Sequence, residues 1–367
     1  MSAPMIQRPK GLMPLSEIEP GPLPQAQDVG IANDEAPKRF RGGRSVGLSD
    51  LESFLQDRGE PYQKAMSSPL TAFDGCSRLS AHLAFGTVSM RETYQAACRR
   101  QDDLRALHME HRGRWPGAVR SFLARLHWHC HFIQKLEDEP AIEFRCFHSA
   151  YEGLREHNAE AIERWSTGQT GLPFVDACMR ALNAHGWINF RMRAMLVSFA
   201  SYHLWLPWRS TGEPLARLFI DYEPGIHWSQ MQMQSSTTGI NLPRIYNPIK
   251  QGRDFDPNGS FIRYWIPELS EVPNIYIHEP WLWPEMRATI GGHYPPPIVD
   301  ERAARKVARD KIWAVRREPG YRAIADQIQV RHGSRKSGMP QHDKRIKIAR
   351  RKQKAMPAKQ LSFLTSE

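Results

Sequence analysis

The sequence predicts a predominantly α-helical protein, and three observations carry that prediction. Apolar residues recur at steps of three and four, as in Val119, Phe122, Leu123, Leu126, Cys130 and Ile133. No alternating apolar and polar run competes with that spacing. The 367 residues are 41% hydrophobic and 10% aromatic, enough to fill a large core and to exclude wholesale disorder.

Residues 1–43 form a proline-rich leader: Pro4, Pro9, Pro14, Pro20, Pro22, Pro24 and Pro37 prevent a stable helix or central strand, so the segment is expected to be partly disordered or to lie on the surface. Order is expected from Ser49, which can cap a helix with Glu52 three residues later, ahead of Phe54 and Leu55. The main helical domain is set at residues 44–300. Within it, Ala177, Cys178, Ala181 and Leu182 repeat the helical spacing, as do Met195, Phe199 and Leu206. Between Asp221 and Pro297 the turn signals Gly239 to Pro243 and Asp256 to Gly259 predict short helices joined by functional loops. A helix from about Glu301 to Arg317 opens a basic extension over 301–367.

Charge is concentrated in that extension. The whole chain carries 50 − 39 = +11, residues 300–367 carry 19 − 7 = +12, and residues 1–299 carry 31 − 32 = −1. Such a segment suits a polyanion, although composition alone fits a solvated tail equally well. No apolar run is long enough to cross a bilayer and the start lacks a secretory pattern, so a cytoplasmic, nucleoid-associated monomer is expected. The five cysteines, Cys76, Cys98, Cys130, Cys146 and Cys178, never form a C-x-x-C pair. Their spacing provides no zinc ribbon or iron–sulfur cradle; they read as free thiols in helical segments, and no metal site is expected.

Several side-chain clusters have chemical content. Arg125, Trp128 and His129 stand at i, i+3 and i+4, on one side of a helix. Trp187 follows Gly186 and precedes Asn189, Phe190, Arg191 and Arg193, and a further cluster runs from Asp221 through Glu223 and His227 to Trp228. Taken singly, each also fits core packing or a structural ion pair.

Their order is more specific. Cys76-Ser77-Arg78-Leu79-Ser80 before Leu83 to Gly86, Thr170 to Arg180, Gly186-Trp187-Ile188-Asn189-Phe190-Arg191, and Asn247-Pro248 through Phe261-Ile262-Arg263 to Leu269 together resemble the FAD-binding catalytic domain of the photolyase/cryptochrome family, over Tyr62 to Pro280. The resemblance implies a helical domain binding U-shaped, non-covalent FAD. The family's α/β antenna domain has no room before residue 48, so a short, antenna-less photolyase without an antenna chromophore is expected. The segment from Asp221 to Tyr246 is most similar to a bacterial branch whose members often hold an iron–sulfur cluster; with no cysteine set downstream, no cluster is expected here.

Residue by residue, the resemblance implies cofactor contacts at Tyr62, Ser77, Arg78, Leu79, Ser80, Phe122, His129, Trp187, Arg193, Asp221, Glu223 and His227. Tyr62 and the 77–80 loop match diphosphate-binding positions, with Cys76 standing where a Thr is usual. Arg193 and Asp221 match an ion pair beside the isoalloxazine. His227 matches a residue near the flavin N5, where Asn is common. Trp128 matches the stacking platform for a flipped pyrimidine dimer, while Arg125, Phe190 and Ala194 occupy neighbouring substrate positions and replace Glu, Asn and Met. Trp208 matches the middle tryptophan of an electron-transfer chain, Trp228 is the candidate for its flavin-proximal member, and Arg155, with Tyr151 nearby, stands where the outer tryptophan is usual.

These matches imply light-driven repair of cyclobutane pyrimidine dimers in UV-damaged DNA. Enzymes for 6-4 photoproducts use a histidine pair where Phe190 and Ala194 stand, which favours cyclobutane dimers here; because the bacterial branch that the later loops resemble contains 6-4 enzymes, 6-4 repair is the alternative, together with a cryptochrome-like blue-light sensor. Finally, residues 360–364 resemble a sliding-clamp-binding peptide, a match short enough to arise by chance.

Overall fold

The computed structural model describes residues 21–22, 24–30 and 38–333. Most of the proline-rich leader, the tail from residue 334 and the 360–364 peptide lie outside the described residues.

The described chain is helical, with no strand among its described residues. Helix α1 spans Arg44–Ser53, α2 Met90–Ala106, α3 Trp115–Asp138 and α4 Ala159–Ser166. Then come α5 at Pro173–His185, α6 at Phe190–Ser198, α7 at Trp208–Leu218 and α8 at Pro224–Gln234. Helices α9 at Pro248–Phe255, α10 at Ser260–Trp265, α11 at Glu301–Arg316 and α12 at Tyr321–His332 are the remaining described α-helices of six residues or more. The boundaries follow local chemistry. Ser89 and Glu92 form a capping box at α2. Asn158, Glu223, Asn247 and Asp300 accept backbone N–H groups at the starts of α4, α8, α9 and α11. Helix α5 starts on Pro173 and stops at Gly186, whose φ of 68° only glycine adopts without strain.

Two sequence expectations about boundaries are corrected. Helix α1 begins at Arg44 after Gly43, which leaves Ser49 inside the helix instead of capping it. At Gly47, inside this helix, a Cβ would lie 2.6 Å from Val88 Cγ2, so α1 is drawn close to the neighbouring segment. Leu206 is not helical either, because a π-helical turn at Phe199–His203 ends the α6 region before it. The cysteines also divide: Cys98, Cys130 and Cys178 are helical, but Cys76 is extended and Cys146 lies in irregular chain.

The central core joins α5, α6 and the π-turn to faces of α7, α8 and α10, with Trp165, Met179, Leu182, Met192, Met195 and Leu196 fully enclosed. A second cluster packs α1 and the π-turn at Phe54–Arg58 against α2 and α3, through Leu51, Phe54, Tyr62, Leu79 and Phe122. A third seats α11 and α12 on Tyr151 and Tyr202 by Ala308, Ile312, Val315 and Tyr321. Helix α3 bridges the first two regions by packing on α2 with one side and α8 with another. None of the described helices is long and apolar enough to cross a membrane.

Candidate functional site

The loop Ser77–Ser80 is held from behind by two arginines. Asp50 on α1 receives Arg78 Nη2 at 2.6 Å and lies 3.6 Å from Arg58 Nη2. Arg58 also donates to the carbonyls of Asp74 at 2.9 Å, Ser77 at 2.9 Å and Cys76. Burial, followed by repulsion from Arg78, pulls the Arg58 pKa down to about 10. Sequence reasoning missed Asp50 and Arg58, whose roles depend on contacts across loops and carry no local signature. Arg78 takes a left-handed φ of 60°, and its buried Nε has no partner. Leu79, not Ser80, occupies the position before the short helix Ser80–Ala84, without a side-chain cap; Leu79 is buried in the core.

Tyr62 and Phe122 meet edge to face at 6.3 Å against Phe54. Arg125, one turn along α3 from Phe122, is exposed and lies beside the Tyr62 hydroxyl and Cys76 thiol, favouring their ionised forms; burial outweighs it and pushes both groups up to about 12. Arg125 is therefore placed by the structure at the edge of the 76–80 loop. Trp128, 40% exposed, stacks on Phe132 at 5.7 Å and 27°. Its face is available where α3 meets solvent. His129 turns inward, its Nδ1 buried without a partner, and burial lowers its pKa while Glu223 opposes that shift.

The α3–α8 seam is close because Gly225 has no side chain: a Cβ would be 2.7 Å from Ile133 Cα. Across this seam the structure brings Glu223 near His129. Behind it, Arg193 of α6 and Asp221 form a bidentate pair, both N–O distances 2.9 Å, while Arg193 Nε donates to Ile188 O at 2.7 Å. The guanidinium also covers the Phe219 ring at 4.2 Å. Phe190, at the α6 start, is exposed, whereas Ala194 is enclosed.

A row of rings extends from this pair. His227 packs against Phe219 and lies 4.7 Å from Trp228, which meets Trp208 at 5.7 Å and 77°. His227 Nε2 is 3.0 Å from Gly212 O. Burial lowers its pKa to about 4, so the ring is neutral near pH 7; since a carbonyl only accepts, Nε2 carries the proton and Nδ1 the lone pair. Trp228 Nε1 is buried without a partner. Trp208 Nε1 instead donates to Cys146 Sγ at 3.3 Å, a contact that sequence reasoning did not foresee.

Arg155 lies over Tyr202 and Trp205 and donates to the carbonyls of Ser201 and Ser235. Tyr151 bonds Tyr321 at 2.9 Å. Trp205 is half-buried, has a φ of 54° and carries Lys311 over its ring. Trp187 stands apart from the α3–α8 seam, near Phe40 and Phe73 and beside a cavity of about 350 Å³ that Tyr264 and Trp265 also line.

These side chains fit a flavin dinucleotide chemically. The 77–80 hydroxyls and the unsatisfied Arg78 Nε suit a diphosphate, and the Arg193–Asp221 pair provides a fixed cation that is not left unpaired.

Comparison with known proteins gives a consistent picture. Residues 122–314 match a family model described as the FAD binding domain of DNA photolyase. Cryptochrome DASH of Gloeobacter violaceus is 31% identical over 340 residues, covering 84% of this chain and 63% of the relative. The deoxyribodipyrimidine photo-lyase of Alkalihalophilus pseudofirmus is 30% identical over 306 residues, covering 80% and 61%. The crystal structure of a bacterial class III photolyase from Agrobacterium tumefaciens superposes with a TM-score of 0.66 at 27% identity, covering 75% of this chain and 56% of that one. A cryptochrome of Synechocystis gives 0.69 at 26% identity, with 78% and 60% covered. The chain thus spans about three fifths of the length of these curated relatives.

Proposed function

Because the chain belongs to the family defined by the FAD-binding domain of DNA photolyase, we propose that it is a deoxyribodipyrimidine photo-lyase that opens cyclobutane pyrimidine dimers in UV-damaged DNA. What carries this reading is the half-exposed Trp128 on α3, next to His129, which faces Glu223 across the α3–α8 seam, together with the paired Arg193 and Asp221 and the neutral His227. FAD, when bound, supplies light absorption and one-electron chemistry.

The residues have separable tasks. Ser77, Arg78, Ser80 and Tyr62 bind the cofactor's diphosphate side, and Arg193 with Asp221 fixes charge beside its ring system. His227, neutral and oriented by the Gly212 carbonyl, offers an acceptor without adding charge. Trp128 receives the extruded lesion by stacking, and the weakened pairing of a dimer lowers the cost of extrusion. Phe190 adds apolar contact at the exposed start of α6. Trp228 and Trp208 provide the route by which electrons replenish the site. No residue here need act as a general acid, which favours cyclobutane dimers over 6-4 lesions, since Phe190 and Ala194 cannot move a proton. The basic extension contacts DNA phosphates.

Illumination of the purified flavoprotein with each lesion in an oligonucleotide, followed by product chromatography, tests the reading. Opening of the cyclobutane dimer alone is expected. Trp128→Ala should weaken substrate binding by about 1–3 kcal/mol while FAD content is unchanged. Product from neither lesion would sink the repair assignment. It would favour a blue-light sensor, a second reading that the similarity to Cryptochrome DASH supports.

A further inference from the structure

We propose that Cys146 is the electron donor to Trp208, with Glu152 as the base that takes the thiol proton. The inference rests on the electron route just described and extends it by one member. Trp208 Nε1 donates to Cys146 Sγ at 3.3 Å, and Trp208 is itself buried. The residue that stands at the expected outer aromatic position, Arg155, holds backbone carbonyls and has no readily oxidised group. Cys146 is a free thiol, kept protonated first by burial and further by the negative charge of the nearby Glu152 carboxylate. Glu152 also receives the Cys146 backbone N–H and is exposed, which gives the proton an exit to water.

The directions of these bonds select the step. A thiol sulfur that already carries its proton is too weak a base to accept another from the indole, so an oxidised Trp208 keeps its Nε1 proton and remains a strong oxidant. One electron then leaves Cys146 sulfur for the Trp208 radical cation, while the S–H proton passes to the Glu152 carboxylate. The products are neutral Trp208, a Cys146 thiyl radical and a Glu152 carboxylic acid. Charge balances, because one positive charge on the indole and one negative charge on the carboxylate both disappear. The oxidant is a photoexcited flavin acting through Trp228, and an external thiol returns the thiyl to Cys146.

Flash photolysis of the flavin-loaded protein reads the lifetime of the tryptophanyl radical, and a nitroxide-forming spin trap followed by peptide mass spectrometry reads where a sulfur radical forms. Cys146→Ser keeps a hydrogen-bond acceptor for Trp208 but cannot be oxidised at accessible potentials; Cys146→Ala removes both. Each should lengthen the tryptophanyl lifetime about tenfold or more at unchanged flavin stoichiometry. Glu152→Gln should lengthen it with the thiol still present, and the wild-type decay should slow in heavy water. Trap adducts should map to Cys146 in the wild type and vanish in both Cys146 variants. Equal lifetimes in the wild type and Cys146→Ser, with the radical visible in both, would overturn the role of Cys146 while leaving the tryptophan route intact. Absence of any tryptophanyl radical, including in Cys146→Ala, would overturn that route and this step with it.

Discussion

Asp221 has only 4% of its side chain exposed, and both carboxylate oxygens are committed to Arg193, 28 positions earlier in the chain. Removing it by Asp221→Ala leaves a guanidinium, itself 21% exposed, packed against Phe219 without a counter-charge. The expected loss is about 3 kcal/mol in denaturant unfolding, at the lower end for buried pairs because Arg193 still reaches water, accompanied by loss of FAD on gel filtration. His227 makes a pH-dependent contribution of opposite chemistry. Its folded pKa of about 4 lies below the usual 6.5, so the unfolded chain binds the proton first as pH falls. Stability attributable to His227 is complete above about pH 6.5 and declines between there and about pH 4, by up to about 3 kcal/mol. His227→Asn should flatten that part of the curve, measured as the change in urea midpoint between near-neutral and mildly acidic buffer; an unchanged slope would show that the ring is not the titrating group.

At the level of helices, two glycines set how closely α8 approaches its neighbours. At Gly225 a methyl group meets Ile133 Cα at 2.7 Å, a backbone atom that cannot turn aside, so Gly225→Ala must push α8 off α3. At Gly212 the methyl group meets Trp228 Cζ3 at 2.6 Å, so Gly212→Ala displaces the indole. Both should cost about 1–3 kcal/mol in thermal unfolding, but Gly225→Ala should loosen FAD and Gly212→Ala should chiefly disturb the Trp228–Trp208 contact, read by tryptophanyl formation. This distinction explains what was legible beforehand. The long helices α3 and α5 follow from apolar spacing, proline and glycine punctuation, all of which are local. The start of α1 at Arg44 carries no capping side chain to mark it, and the helical spacing through Leu206 fails because a π-turn shifts the register by a residue without altering the apolar count. The same contrast holds at the site. Motif order singles out Arg193, Asp221 and Trp128, whereas the contacts of Asp50, Arg58 and Cys146 arise only where separated segments meet.

Across the whole molecule, charge is separated along the chain: residues 300–367 hold +12 against −1 for the remainder. Deleting residues 334–367 should weaken binding to undamaged duplex DNA and flatten the dependence of log K on log salt, with FAD content unchanged; an unaltered salt slope would assign phosphate contact to the helical body instead. The body also has an unusual mechanical member in α3, 24 residues long and so about 36 Å. Near its start the Arg114 N–H donates to Glu60 at 2.9 Å and Gln63 donates to Ser121 at 2.8 Å; beyond its far end Glu139 meets Arg331 at 2.9 Å and His332 at 2.6 Å. Trp128 therefore sits mid-span on a beam clamped at both supports, where bending is resisted from either side. Its aromatic face is thereby held in place from both ends of the helix, and on the repair reading proposed above a lesion would meet a stiff anvil that requires no folding of the protein to receive it.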